Sequence, residues 1–75
     1  MTQLLWKTAA AFFTKMVAKL IHQNSTHGYI GWDQESSVRY QGLMDKLHRN
    51  IKDEDWVDVA NLAMMLDYRK SKESK

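Results

Sequence analysis

The sequence of 75 residues predicts an all-α fold of three helices. Proline, which interrupts helices, is absent, and the three glycines all lie in the middle third of the chain. In three segments, apolar side chains recur at steps of three and four residues, the spacing of a helix with one buried face. We therefore expect helices at about residues 2–22, 35–51 and 54–70, which form a single domain over residues 1–70.

The first helix follows Thr2, a residue type that commonly caps helices. Its apolar positions, which we expect to form one buried face, are Leu5, Ala9, Phe12, Phe13, Met16, Leu20 and Ile21. Residues 24–33 then combine Asn, Ser and two glycines, which favour turns over helix. This segment is expected to connect the first helix to the second.

The second helix has Asp33 or Ser36 as its alternative N-cap. Its apolar stripe consists of Tyr40, Leu43, Met44, Leu47 and Ile51. Gly42 either weakens this helix by about 1 kcal/mol relative to alanine or permits the close approach of a neighbour. Asp53 is the expected N-cap of the third helix, and residues 71–75 are expected to form a frayed basic tail.

The third helix is apolar around nearly its whole circumference. From Trp56 to Tyr68, ten of thirteen residues are apolar. A helix of this kind must be covered on several sides, and two other short helices offer little cover. We therefore expect a homo-oligomer, a helical bundle with this helix at or near the interface.

Composition narrows the cellular context and the partners. The chain contains no cysteine, so it has no disulfide and no thiolate metal site, as expected for a reducing compartment. No uninterrupted apolar run exceeds five residues, and the N-terminus lacks the pattern of a signal peptide. We expect a cytoplasmic protein with no membrane partner.

Charge is distributed unevenly along the chain. Residues 1–32 carry three lysines and no acid, a net +3. Residues 33–67 carry eight acidic and four basic residues, a net −4, and residues 68–75 carry four basic residues and one acidic residue, a net +3. An acidic middle makes a nucleic-acid partner unlikely. A basic wall facing an acidic helix instead suits a small site for a phosphorylated ligand.

Two groups of residues are candidates for chemistry. Asp55 and Asp58, with Glu54 nearby, lie within one helical turn and could bind Mg²⁺, or they could be a solvated first turn that complements the helix dipole. Asn61 lies on the same side among apolar neighbours and needs a polar partner, which is either another helix or a ligand.

Tyr29 and Trp32, beside two glycines, could stack against a base or could plug the end of the bundle. The three histidines lack the spacing of a zinc site, and the motif Gly-x-Ser-x-Gly of serine hydrolases is absent.

Two segments together resemble a known family. They are His27-Gly-Tyr-Ile-Gly-Trp32 and Asp55-Trp-Val-Asp58-Val-Ala-Asn61-Leu-Ala-Met-Met-Leu66. Their order resembles the MazG-like all-α nucleoside triphosphate pyrophosphohydrolases, particularly the small phage-type members. The resemblance implies that Trp32 matches the loop tryptophan, Asp55 and Asp58 match the Glu-x-x-Asp set that binds Mg²⁺, and Asn61 matches the asparagine of the family's Val-Ala-Asn segment.

The chain departs from this family at its second metal-binding set. Where a Glu-Glu-x-x-Glu helix is expected, residues 47–52 read Leu-His-Arg-Asn-Ile-Lys, and the following helical hairpin is missing. Because most of the metal carboxylates are absent, a two-metal clamp on a polyphosphate is not expected.

The resemblance and the departure together predict a non-catalytic protein that sequesters a phosphorylated nucleotide. As a phage protein, it would counter a host defence signal in this way. In this hypothesis the base lies against Tyr29 and Trp32, and Asn61 binds the base or ribose. The phosphates lie near Lys15, Lys19 and His22. One alternative is an active Mg²⁺-dependent pyrophosphohydrolase that uses Asp55 and Asp58. A second alternative is a protein-interaction module that docks through its third helix.

Overall fold

A computed structural model describes residues 2–25, 31–36 and 38–73 of the chain. It contains three helices, α1 (Gln3–Ser25), α2 (Tyr40–Lys52) and α3 (Trp56–Glu73), and no strand among the described residues. The expected all-α class with three helices is therefore confirmed. Over the same residues, no helix combines the length and the apolar character needed to cross a bilayer.

Helix α3 packs against both other helices, whereas no Cα atoms of α1 and α2 come within 8 Å of each other among the described residues. The buried core consists of Leu43 from α2 and three side chains of α3, Leu62, Met65 and Leu66. The buried side chains of α3 share one face of the helix. On its other side, large apolar side chains stay 53%, 42% and 50% exposed, those of Trp56, Met64 and Tyr68. The other two helices therefore cover one face of α3 and leave part of its apolar surface exposed.

Helix α1 runs antiparallel to α3, since Met16 lies beside Asn61 and Lys19 lies beside Asp58. Only one side of α1 takes part in this packing, and Leu20 is its side chain against the core cluster. The single buried face expected for α1 is therefore wrong in part. Phe13 and Ile21 lie outside the side that meets α3, and both are exposed.

The start of α2 differs from the prediction because a carboxylate folds back onto it. The helix begins at Tyr40 rather than near residue 35, and Arg39 occupies the N-cap position without a capping side-chain bond. The first amide of the helix, that of Tyr40, donates to Glu35 Oε2 at 2.7 Å. Neither Asp33 nor Ser36 is the N-cap, so that expectation is wrong.

Arg69 of α3 holds the connecting segment against the helices. Its guanidinium is buried, with 4% of the residue exposed. It donates to the carbonyl oxygens of Trp32 and Val38, at 3.3 and 2.7 Å, and to the Glu35 carboxylate. The Tyr40 amide, followed by the Arg69 guanidinium, lowers the pKa of Glu35 below its ordinary value. One side chain thus fixes the position of the segment that enters α2.

The link between α2 and α3 is a tight turn that serves both helices. Glu54 adopts a φ of 58°, and its amide donates to the Ile51 carbonyl, while the Asp55 amide donates to the Asn50 carbonyl. These two bonds form a Schellman motif, in which a left-handed residue other than glycine costs about 1 kcal/mol. Asp55 then accepts the Asp58 amide at 3.2 Å, so Asp55, and not Asp53, caps α3.

The structure also bears on the expectations for Gly42 and for the C-terminal tail. A Cβ built on Gly42 would meet no atom within 4 Å, so a close approach of a neighbour does not account for this glycine. The predicted tail, residues 71–75, is divided: α3 continues to Glu73, and residues 74–75 lie outside the described part.

We predict that Arg69→Met lowers the free energy of unfolding by about 2–3 kcal/mol, because two backbone carbonyls and a carboxylate lose a charged donor. Urea denaturation measures this change. Lys72→Met, which removes an exposed cation from the same helix, is the control and should change stability by less than about 0.5 kcal/mol. Equal effects of the two variants would contradict the role assigned to Arg69.

Candidate functional site

A polar cluster lies where α1 meets the first turn of α3. The Lys19 ammonium is 3.4 Å from Asp58 Oδ1 and 3.7 Å from Asp55 Oδ2. The Asp58 side chain is 14% exposed, whereas those of Lys19 and Asp55 are 34% and 39% exposed. The ammonium is not aligned to donate a hydrogen bond to Asp58 Oδ1, so the attraction between them is electrostatic. One cation from α1 therefore lies close to two carboxylates of α3 and offsets part of their negative charge.

Asn61 continues this cluster into the interior. Asn61 is fully buried, and its Nδ2 donates to the Met16 carbonyl of α1 at 3.2 Å. Its Oδ1 is buried without a hydrogen-bond partner, as is Asp58 Oδ1. Because both oxygens are almost inaccessible to solvent, a dissolved ligand reaches them only if α1 and α3 separate. The polar partner that Asn61 required is thus the backbone of another helix.

The residues present do not fit the Mg²⁺ site that the family resemblance implies. Mg²⁺ requires oxygen ligands in octahedral array, and here a lysine ammonium lies between the two carboxylates. Asp55 Oδ1 is also engaged as the helix cap. Within the described ranges, no group of three or more His, Cys, Asp or Glu side chains is placed to hold a metal ion.

Trp32 packs inward at the end of the α2–α3 pair. It contacts the core cluster and makes an edge-to-face contact with Tyr68, with ring centroids 5.4 Å apart and planes at 63°. Its carbonyl accepts from Arg69. Tyr29, the other predicted aromatic of the nucleotide site, lies outside the described residues.

The remaining predicted ligand residues lie on the surface of α1. Lys15 and His22 are both exposed. Lys15 lines a shallow depression together with Lys7, Thr8, Ala11 and Phe12. Among the described residues, the structure therefore brings Lys19 and Asn61 to the α1–α3 junction, whereas Lys15 and His22 lie on the surface of α1 and Trp32 packs against the core cluster.

An exposed apolar surface that the sequence analysis did not single out lies on α1. We define the outer face of α1 as Trp6, Ala10, Phe13, Val17 and Ile21. At 3.6 residues per turn these positions fall within an arc of about 80°. Trp6, Phe13 and Ile21 are 62%, 63% and 64% exposed, and Val17 is 37% exposed. The signal was present in the sequence, since the apolar residues of α1 span too wide an arc for one buried stripe.

Comparison of the chain with protein-family models, curated proteins and solved structures gave no match. The relation to the MazG-like family accordingly stays a prediction from the two quoted segments.

We predict that Lys19→Met lowers the free energy of unfolding by about 1–2 kcal/mol, between the values typical of exposed and buried ion pairs. The loss arises because the mostly buried Asp58 carboxylate loses its nearby cation. Lys15→Met is the matched control, one turn earlier on the same helix and exposed, and should have little effect.

Asp58→Asn tests whether the loss of stability in Lys19→Met comes from the Lys19–Asp58 ion pair. In the Lys19→Met background this second change should cost less than it does in the wild type, as a double-mutant cycle of urea denaturation would show. Strictly additive effects would mean that Lys19 and Asp58 do not interact.

Proposed function

We propose that this protein is a non-catalytic interaction module that binds through the outer face of α1. The observation that carries the proposal is the exposure of Trp6, Phe13 and Ile21 on one uncharged side of the helix. Isolated exposed apolar residues are ordinary, but a contiguous exposed patch marks a binding surface. This revises the interaction hypothesis from the sequence, because one face of α3, which was expected to dock on a partner, is buried against α1 and α2 within the chain.

The proposal assigns no catalytic residue. Asp55 and Asp58, which would act in a pyrophosphohydrolase, are held by Lys19 and by the start of α3. We also propose a cytoplasmic location. A small chain without cysteine forms no disulfide, which is typical of proteins in a reducing compartment.

Photo-crosslinking tests the surface directly. With a photoreactive phenylalanine analogue in place of Phe13, we expect a covalent adduct to one protein of defined mass on irradiation of cells that express the chain. The same analogue at Lys15, which lies on the opposite side of α1, should give no such adduct. An absence of adducts from Phe13 would refute the proposal, whichever protein had been expected as the partner.

A second candidate is the sequestration of a phosphorylated nucleotide, and one observation favours it. Lys7 and Lys15 flank a depression of α1 that also contains the ring of Phe12. Two cations beside an aromatic ring suit phosphates and a base. This location differs from the predicted one, because Lys19 is engaged by two carboxylates and the Trp32 ring packs against the core.

ATP is a suitable probe of this second candidate. If the depression binds nucleotides, Lys15→Ala should weaken ATP binding at least about fivefold in calorimetric titration, a loss of roughly 1 kcal/mol. Lys72→Ala, on the exposed surface of α3, should bind as the wild type does. No saturable binding of ATP by the wild-type protein would eliminate this candidate.

A further inference from the structure

We infer that the outer face of α1 is covered by the same face of a second copy of this chain, with the two α1 helices antiparallel. This inference rests on the proposed function, since it names the partner of that surface. The competing occupants are a different protein and a parallel copy. The amount of apolar surface is sufficient for a dimer, and the order of side-chain sizes favours the antiparallel arrangement.

The outer face offers enough apolar surface for a dimer. It extends over about 22 Å of helix, since residues 6 and 21 are fifteen positions apart. Aromatic side chains can bury roughly 150–250 Å² each, and Trp6 and Phe13 are nearly two-thirds exposed. With Val17, Ile21 and the small residues between them, the face offers roughly 500 Å² per partner, which reaches the lower limit of about 1,000 Å² in total for a specific interface.

The order of side-chain sizes along the face fits a two-fold axis perpendicular to α1. Reading from the N-terminus, the face has a large, a small, a large, a medium and a large residue. If the axis passes near Phe13, Trp6 lies opposite Ile21 of the second copy and Ala10 lies opposite Val17. A parallel pair would instead set Ala10 against Ala10 and leave a gap, which costs packing energy.

Sedimentation equilibrium of the purified full chain tests the association. We expect a concentration-dependent dimer whose Kd rises at least about thirtyfold in Phe13→Asp, as for the central residue of an interface. Ala11→Asp adds the same charge on another side of the helix and should leave Kd within about twofold, as for a residue outside the interface. Both sites are exposed, so circular dichroism should show wild-type helix content in each variant.

The orientation can be tested with engineered cysteines, since the natural chain has none. A short bis-maleimide should link Ala10→Cys to Val17→Cys when the two variants are mixed, and should link neither variant to itself. Self-linkage of each variant alone would indicate a parallel pair and overturn the inference.

Two further outcomes would also overturn it. One is a wild-type protein that stays monomeric at every concentration, and the other is a dimer that survives Phe13→Asp. The photo-crosslinking experiment separates this failure from that of the proposed function. An adduct from Phe13 to a different protein would leave the interaction surface standing and remove the second copy as its occupant.

Discussion

The need to cover α3 governs this structure. The helix is apolar over most of its circumference, and a chain of 75 residues supplies only two other helices to cover it. Both α1 and α2 are therefore placed against one face of α3, and among the described residues their Cα atoms stay more than 8 Å apart. A three-helix arrangement of this kind has a small core, and each outer helix turns one side away from it. In α2 that side is largely polar, whereas in α1 it is apolar.

Polar contacts at the two ends of α3 determine how the covering elements are held. Near its N-terminus, Asp55 and Asp58 attract Lys19 of α1. Near its C-terminus, Arg69 bonds the segment that leads into α2. The charged residues of α3 also suit its helix dipole, since Asp55 and Asp58 lie at its start and Arg69 lies towards its end. The buried polar residues therefore specify which sides of the neighbouring helices face α3. Apolar contacts alone would specify these sides less well, because they are not directional.

The sequence predicted the number and approximate extent of the helices because periodicity and turn residues are local signals. It failed where the outcome depends on contacts between distant residues. Residues 35–39 look compatible with helix, but Glu35 accepts the Tyr40 amide and is held by Arg69, far along the chain. The Lys19 contacts were likewise missed, because they depend on the antiparallel packing of α1 on α3. Asn61 was recognised as needing a partner, yet no local pattern indicates the Met16 carbonyl.

Helix α1 shows why a functional surface was harder to predict than a core. Its apolar residues fall into two groups that are adjacent around the helix, one that meets α3 and one that faces away, and helical spacing alone cannot tell which group is covered. Phe12 and Phe13 illustrate the division, since the first is half-buried and its neighbour is largely exposed. Stability of the single chain does not require Phe13 or Trp6, because neither lies in the core cluster. Their position on one uncharged side of a long helix is therefore best understood through what binds there, since the adjacent group supplies the apolar residues of α1 that pack against α3.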